Sequence, residues 1–236
     1  MSRRKQIDCR EELEFLYEDG DIVVVGKPAG MIVHPAPGRD EEAVTDILVR
    51  RCPSMSSVGS VSRPGVVHRL DIETSGVMVF AKTQRAYLKL REQFESHRDV
   101  EKTYLAVLHG APKAKSGVIE TTIGRKPWDA KRMAVDAPGG KRAVSRWTVL
   151  AKKGALALVE FSIETGRTHQ IRVHAAHMGH PIAGDALYGD SASDSRLARR
   201  PRRQLLHAVQ LSFIHPASGK RVSFAAEPPA DIVYSV

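Results

Sequence analysis

The chain has 236 residues, enough for one large domain or two small ones, and its 42% hydrophobic and 27% charged residues suit a globular protein with a sizeable core. No apolar run approaches the roughly 20 residues needed to cross a bilayer, no apolar segment follows the basic start as a secretory signal requires, and Cys9 and Cys52 form neither a disulfide framework nor a metal-spaced pair. Thirty-six Lys and Arg against 27 Asp and Glu leave a net charge of +9, which favours a polyanionic partner because each neutralised phosphate releases condensed counterions.

Residues 1–12 read as a loose tail, and 13–236 as one domain around a cleft. Residues 22–25 are β-branched and bounded by Asp21 and Gly26-Lys27-Pro28, which predicts a strand. A helix is predicted over 44–51 and a strand over 77–80. A second helix fits 84–97, where Tyr87, Leu90 and Phe94 share one face. Strands follow at 104–108, 143–150, 156–163 and 209–214. A third helix is expected over 172–178, stopped by Gly179. The Ser/Arg-rich stretch 190–203 reads as a surface loop or short helix. Runs of strands broken by a few helices argue an α+β fold with a mixed or antiparallel sheet. No basic helix carries a wide apolar face, so a membrane surface is not the expected partner, and a cytoplasmic location is.

Several chemistries are disfavoured by motif. No Gly-rich loop follows a strand in the dinucleotide-binding pattern. Gly184 to Gly189 has the spacing of a phosphate loop, but Asp190-Ser191 stands where Lys-Ser/Thr is required. His68-Arg69-Leu70-Asp71 echoes a kinase catalytic loop without the other kinase parts. His169, His174, His177 and His180 are crowded, yet no Glu or Cys completes a zinc pattern, so packed or hydrogen-bonded histidines are expected and no metal is.

Two polar loops stand out. The first runs from Pro64 through His68-Arg69-Leu70-Asp71 to Gly76 and leads into the strand at 77–80. By itself it reads more as an acid capping a turn, with Arg69 in a surface ion pair, than as a catalytic loop. The second, from Glu164 to His174, packs donors between a strand end and a helix start. A buried Arg172 there would need a carboxylate partner and would hold it ionised.

These two strings resemble the RluA-type family of pseudouridine synthases. His68-Arg69-Leu70-Asp71 with Thr74-Ser75-Gly76 matches its catalytic loop, and Thr165-Gly166-Arg167-Thr168-His169-Gln170-Ile171-Arg172 its second hallmark. Gly179-His180-Pro181-Ile182, Gly184-Asp185 with Tyr188-Gly189, Lys27-Pro28-Ala29-Gly30, Lys102-Thr103-Tyr104-Leu105 and Leu206-His207-Ala208 agree in order, so the likeness covers about residues 13–228. It implies the pseudouridine synthase fold, a mixed, largely antiparallel central sheet with flanking helices and a basic RNA-binding cleft. It also implies isomerisation of uridine in structured ribosomal or transfer RNA, with no cofactor, by a monomer. Asp71 matches the family's catalytic aspartate, Arg172 the arginine paired with it, and Tyr104 the tyrosine lying against uracil. Arg69 resembles the residue that fills the gap left by a flipped base. His68, Arg167 and Leu206 are further expected substrate contacts. Lys131 and Arg132, with Arg125-Lys126, Lys141-Arg142, Arg199-Arg200 and Arg202-Arg203, are expected to grip phosphates. Many relatives carry an S4-type RNA-binding module; only about a dozen residues precede the catalytic region here, so none is expected. The rivals are a silent RNA-binding factor on the same scaffold and a glycosidic hydrolase, though hydrolases commonly use two carboxylates, and Glu73, the neighbour of Asp71, is expected to diverge from it.

Overall fold

The computed structural model describes residues 13–235 except 37, 39 and 130; the expectation for residues 1–12 lies outside them. In chain order the elements are β1 (Glu14–Glu18), β2 (Ile22–Lys27), α1 (Val44–Arg51), the short pair β3 (Gly59–Ser60) and β4 (Arg63–Pro64), β5 (Ser75–Ala81) and α2 (Gln84–Ser96). Then come β6 (Glu101–His109), β7 (Ser116–Arg125), β8 (Met133–Val135), β9 (Lys141–Lys153), β10 (Leu156–Ile163), α3 (Gln170–His177), α4 (Ser191–Ser195), β11 (Leu206–Ile214), β12 (Arg221–Ala225) and α5 (Ala230–Val233).

Ten strands form one sheet in the order β1-β2-β5-β11-β6-β10-β9-β7-β8, with β12 on β11. Only the β5–β11 pairing is parallel, so the α+β class with a mixed, largely antiparallel sheet is what forms. That parallel seam matters for the site. It joins the strands on either side through two register pairs, His207 with Ser75 and Ala208 with Gly76. A Cβ on Gly76 would lie 2.2 Å from the Ala208 carbonyl, and its φ is +123°. Only glycine lets the backbones approach there.

The predicted helices appear where their patterns put them. In α1, the Asp46 carboxylate accepts the Ala43 N–H at 2.9 Å, closing the first turn. Thr83 caps α2 by accepting the Ala86 N–H at 3.2 Å, and His97 ends it in the left-handed region. Leu90 and Phe94 are the buried face of α2, each stabilising by roughly 1.5–3 kcal/mol. Every residue of β5 is buried, because α2 packs on it and β2 and β11 flank it. Helix α3 starts two residues earlier than its pattern indicated and is followed by Gly179 at φ +76°. Residues 170–175 of it are all buried and only its last turn reaches solvent, at His177, so it carries little amphipathic signal. Four strands of the large sheet went unread, β1, β7, β8 and β12, and so did the short pair β3 and β4. One core cluster runs from Leu13 to Ala226. Among the described residues no helix is long and apolar enough to cross a membrane.

Candidate active site

Three adjacent strands lay an apolar floor. Tyr104 of β6 pairs with Ala208 of β11 on one side and Phe161 of β10 on the other. Two-residue alternation then puts Tyr104, Leu206 and Ile163 on one face, and all three line a cleft of about 430 Å³. Arg69, Asp71, Arg167, His169 and Arg172 form the polar part of its wall.

Asp71 lies in the loop before β5, and that loop is pinned from both sides. The Thr74 N–H closes a turn on the Asp71 carbonyl at 3.0 Å. Lys27 Nζ donates to the carbonyls of Pro28, Met31 and Ile72 at 2.8–2.9 Å. Burial drags that amine down to about 7, opposed by the charges of Glu73 and Asp71. Three acceptors use all three donors of an ammonium, so the geometry favours the charged form. From the other side Gln204 Nε2 donates to Thr74 Oγ1 at 2.7 Å and Arg203 Nη1 to the Glu73 carbonyl at 3.1 Å. His207 Nε2 sits 3.0 Å from the Ala226 carbonyl and must donate to it, so Nδ1 accepts the Ser75 hydroxyl at 2.9 Å.

Arg172 reaches the site from buried α3. Its Nη1 donates to Asp71 Oδ2 at 2.8 Å, while Nε and Nη2 clamp Asp185 at 2.7 and 2.8 Å. Burial opposes the guanidinium charge, but the bonds to Asp185 and Asp71 outweigh it and hold the group above its ordinary value. Burial likewise opposes the Asp185 carboxylate, and the Arg172 bonds, with the N–H groups of Tyr188 and Leu187, hold it below the ordinary range. Two acids share one arginine, and the second fixes how the first is presented. The chain also provides the loop that delivers α3. Gln170 Oε1 accepts from Thr165 Oγ1 at 2.7 Å and the Arg167 N–H at 3.0 Å, and its Nε2 donates to the Val144 carbonyl at 2.9 Å and Ser145 Oγ at 3.0 Å. That buried amide is fully satisfied.

His169 is held at φ +57° with Nε2 3.8 Å from Asp71 Oδ2. Its Nδ1 lies 2.8 Å from the Tyr188 hydroxyl, which accepts the Met133 N–H at 2.7 Å. Nδ1 is the acceptor in reach of the Tyr188 proton, so Nε2 carries the His169 proton and faces the cleft. Burial lowers the His169 pKa, with the Asp71 charge opposing, which favours the neutral ring. Burial and the Asp71 charge push the Tyr104 phenol above its ordinary value, which keeps it protonated.

The cleft therefore brings together Asp71, Tyr104, Arg172, Arg69, Arg167 and Leu206 from the expected set. His68 is not among the residues brought together there. Its ring stacks on Phe94 at 4.6 Å, its Nε2 accepts the Val79 N–H at 3.1 Å, and it does not line the cleft. Burial drives its pKa down to about 3, so it anchors the loop as a neutral ring. Lys131 and Arg132 sit on the β7–β8 connection, Lys131 exposed. Arg203 and Arg142 are engaged elsewhere: Arg203 clamps Asp231 at 2.8 Å, and Arg142 pairs with Glu120 at 2.7 Å. Glu73 is exposed and off the cleft wall, as expected. Of the crowded histidines, His169, His174 and His180 are hydrogen-bonded; His174 sits between Ser145 Oγ at 2.9 Å and Thr121 Oγ1 at 3.1 Å. Sequence reasoning assigned no role to Asp185, His169, Tyr188 or Lys27, although all four lie in strings matched to the family.

Comparison with known proteins agrees with this geometry. The family model described as RNA pseudouridylate synthase matches residues 21–177. Ribosomal large subunit pseudouridine synthase D of Neisseria meningitidis serogroup A is 45% identical over 94% of this chain and 60% of its own length. The protein of the same name from Zymomonas mobilis is 41% identical over 93% of this chain and 70% of its own length. The chain thus spans about two thirds of the length of such curated relatives. The solved structure of Human RNA Pseudouridylate Synthase Domain Containing 1 superposes with a TM-score of 0.74 at 27% identity, covering 93% of this chain and 84% of that one. The chain belongs to the RNA pseudouridylate synthase family.

Proposed function

We propose that this protein isomerises uridine to pseudouridine at a defined position in structured RNA, after the nucleotide is flipped into the cleft. The observation that carries the reading is one carboxylate, Asp71, held 2.8 Å from a buried arginine above a floor of Tyr104, Leu206 and Ile163. The names of the Neisseria and Zymomonas relatives favour large-subunit ribosomal RNA over transfer RNA. On this reading the protein acts as a monomer in the cytoplasm.

The reaction breaks C1′–N1 and forms C1′–C5; C5 loses a proton and N1 gains one. Nothing is oxidised and no group is acquired, so the chemistry calls for no cofactor. Asp71 serves in either of two routes, attack on C1′ to give a glycosyl ester or removal of a ribose proton to give a glycal. In both, Arg172 holds the carboxylate in place and aims it. Tyr104 offers a flat face to uracil and, being protonated, relays a proton at C5 rather than starting as a base. Leu206 and Ile163 keep water from the detached base. Arg69, exposed at the rim, fills the gap left in the RNA stack. Arg167, Lys131 and Arg132 hold phosphates.

Digesting cellular RNA to nucleosides after incubation with the protein tests the reading. Gain of pseudouridine without free uracil is expected. Free uracil would make the protein a hydrolase, and neither product would make it a silent RNA-binding factor.

A further inference from the structure

The connection between β7 and β8 carries the most exposed large apolar side chain in the described molecule. Trp128 is 104% exposed and sits at φ +64°, a backbone region that glycine or asparagine occupies more readily than a bulky aromatic. Described residues on either side of it are nonetheless hydrogen-bonded to one another. The Asp129 N–H donates to the Lys126 carbonyl at 3.2 Å, the Arg132 N–H to the Asp129 carbonyl at 3.1 Å, and the Lys131 N–H to Asp129 Oδ1 at 3.1 Å. The indole is thus presented between exposed Lys126 and Lys131. The foot of this turn is tied to the cleft, since the Met133 N–H donates to Tyr188, whose hydroxyl meets His169 beside Asp71. Met133 follows Trp128 by five positions, a reach of at most about 18 Å.

We propose that Trp128 is a stacking platform for a second, unpaired base of the RNA, flanking the uridine that enters the cleft. This rests on the isomerase reading for the identity of that uridine, but not for RNA contact itself. An aromatic face between cations is the arrangement that binds single-stranded nucleic acid. The cations hold the backbone and the ring takes any base, because every base has a π-face. A protein partner would more often meet the indole with apolar neighbours, and here Arg125, Lys126, Lys131 and Arg132 flank it in sequence. Trp128 acts on binding and register, not on the reacting atoms.

The chain has two tryptophans, and the other, Trp147, is buried at 9% exposure. Emission of the whole protein is therefore titrated with purified ribosomal RNA and with a mixed-sequence single-stranded oligoribonucleotide. Wild-type emission falls saturably, because a stacked base quenches the indole, and Trp128→Phe shows no such fall while binding nearly as well. Trp128→Ala weakens binding about 5- to 150-fold, with the salt slope unchanged, because no charge is removed. Unquenched emission at saturating RNA, or wild-type affinity in Trp128→Ala, overturns the proposal. A protein that is quenched by RNA yet makes no pseudouridine sinks the isomerase reading alone. One that makes pseudouridine without quenching sinks this inference alone.

Discussion

At the floor of the cleft Asp71, Arg172 and Asp185 meet at 2.7–2.8 Å with Arg172 and Asp185 buried, whereas at the rim Arg69, Lys131 and Trp128 carry exposed side chains. The floor is over-determined: the loop bearing Asp71 is held by Lys27, Arg203, Gln204 and His207, and α3 by Gln170. Rim charges are solvated and screened, and individually stabilise little. The difference separates two tasks. A reacting carboxylate needs one fixed geometry, set by bonds that survive salt. An RNA backbone needs attraction over a range of approaches, which mobile cations supply. Floor substitutions should therefore cost stability and turnover together, and rim substitutions should cost affinity alone.

The largest effect is expected from Asp185→Asn. It leaves Arg172 buried with half its clamp, so urea denaturation should record a loss of about 3–5 kcal/mol, with turnover reduced as well. Retained stability with lost turnover would mean that Asp185 only aims Arg172. Acid should act next, through two histidines packed in the scaffold around the site. Burial holds His68 down to about 3 and His174 down to about 4, each against an ordinary 6.5. Below pH 6.5 the unfolded chain binds protons that the folded chain refuses, so stability should decline as pH falls from about 6.5 towards 4. The thermal midpoint followed against pH should show that slope in wild type and a shallower one in His68→Gln. Tyr188→Phe removes the hydroxyl between the Met133 N–H and His169, and should lower kcat/KM by about tenfold or less, on the scale of one net hydrogen bond. The smallest change is expected from Lys131→Ala: an unchanged fold, weaker RNA binding, and a logarithmic salt slope lower by about 1.

Much of the fold is legible from periodicity. The β-branched run of β2, the spacing of Leu90 and Phe94 in α2, and the apolar β10 each declare their element. The missed strands declare little. β7 reads Ser-Gly-Val-Ile-Glu-Thr-Thr-Ile-Gly-Arg, with glycines and a charge interrupting the alternation, and β12 is a five-residue strand with Arg221 at its start. The site is legible only through resemblance. Asp71 and Arg172 stand 101 positions apart, and no local pattern tells that they bond. For His68, a motif string does not say which side chain faces the cleft. In the folded chain its ring packs on Phe94. Asp185 had no apparent role because its partner approaches from a helix with little amphipathic signature.

The central claim is that Asp71, aimed by Arg172, carries the reaction. Tritium release from RNA labelled at uracil C5 tests it most directly, with wild type and Asp71→Asn compared in single turnover after circular dichroism has established that both are folded. Release by wild type, reduced by about 10⁴-fold or more in Asp71→Asn, is the predicted result. Comparable release by both proteins would contradict the assignment of Asp71.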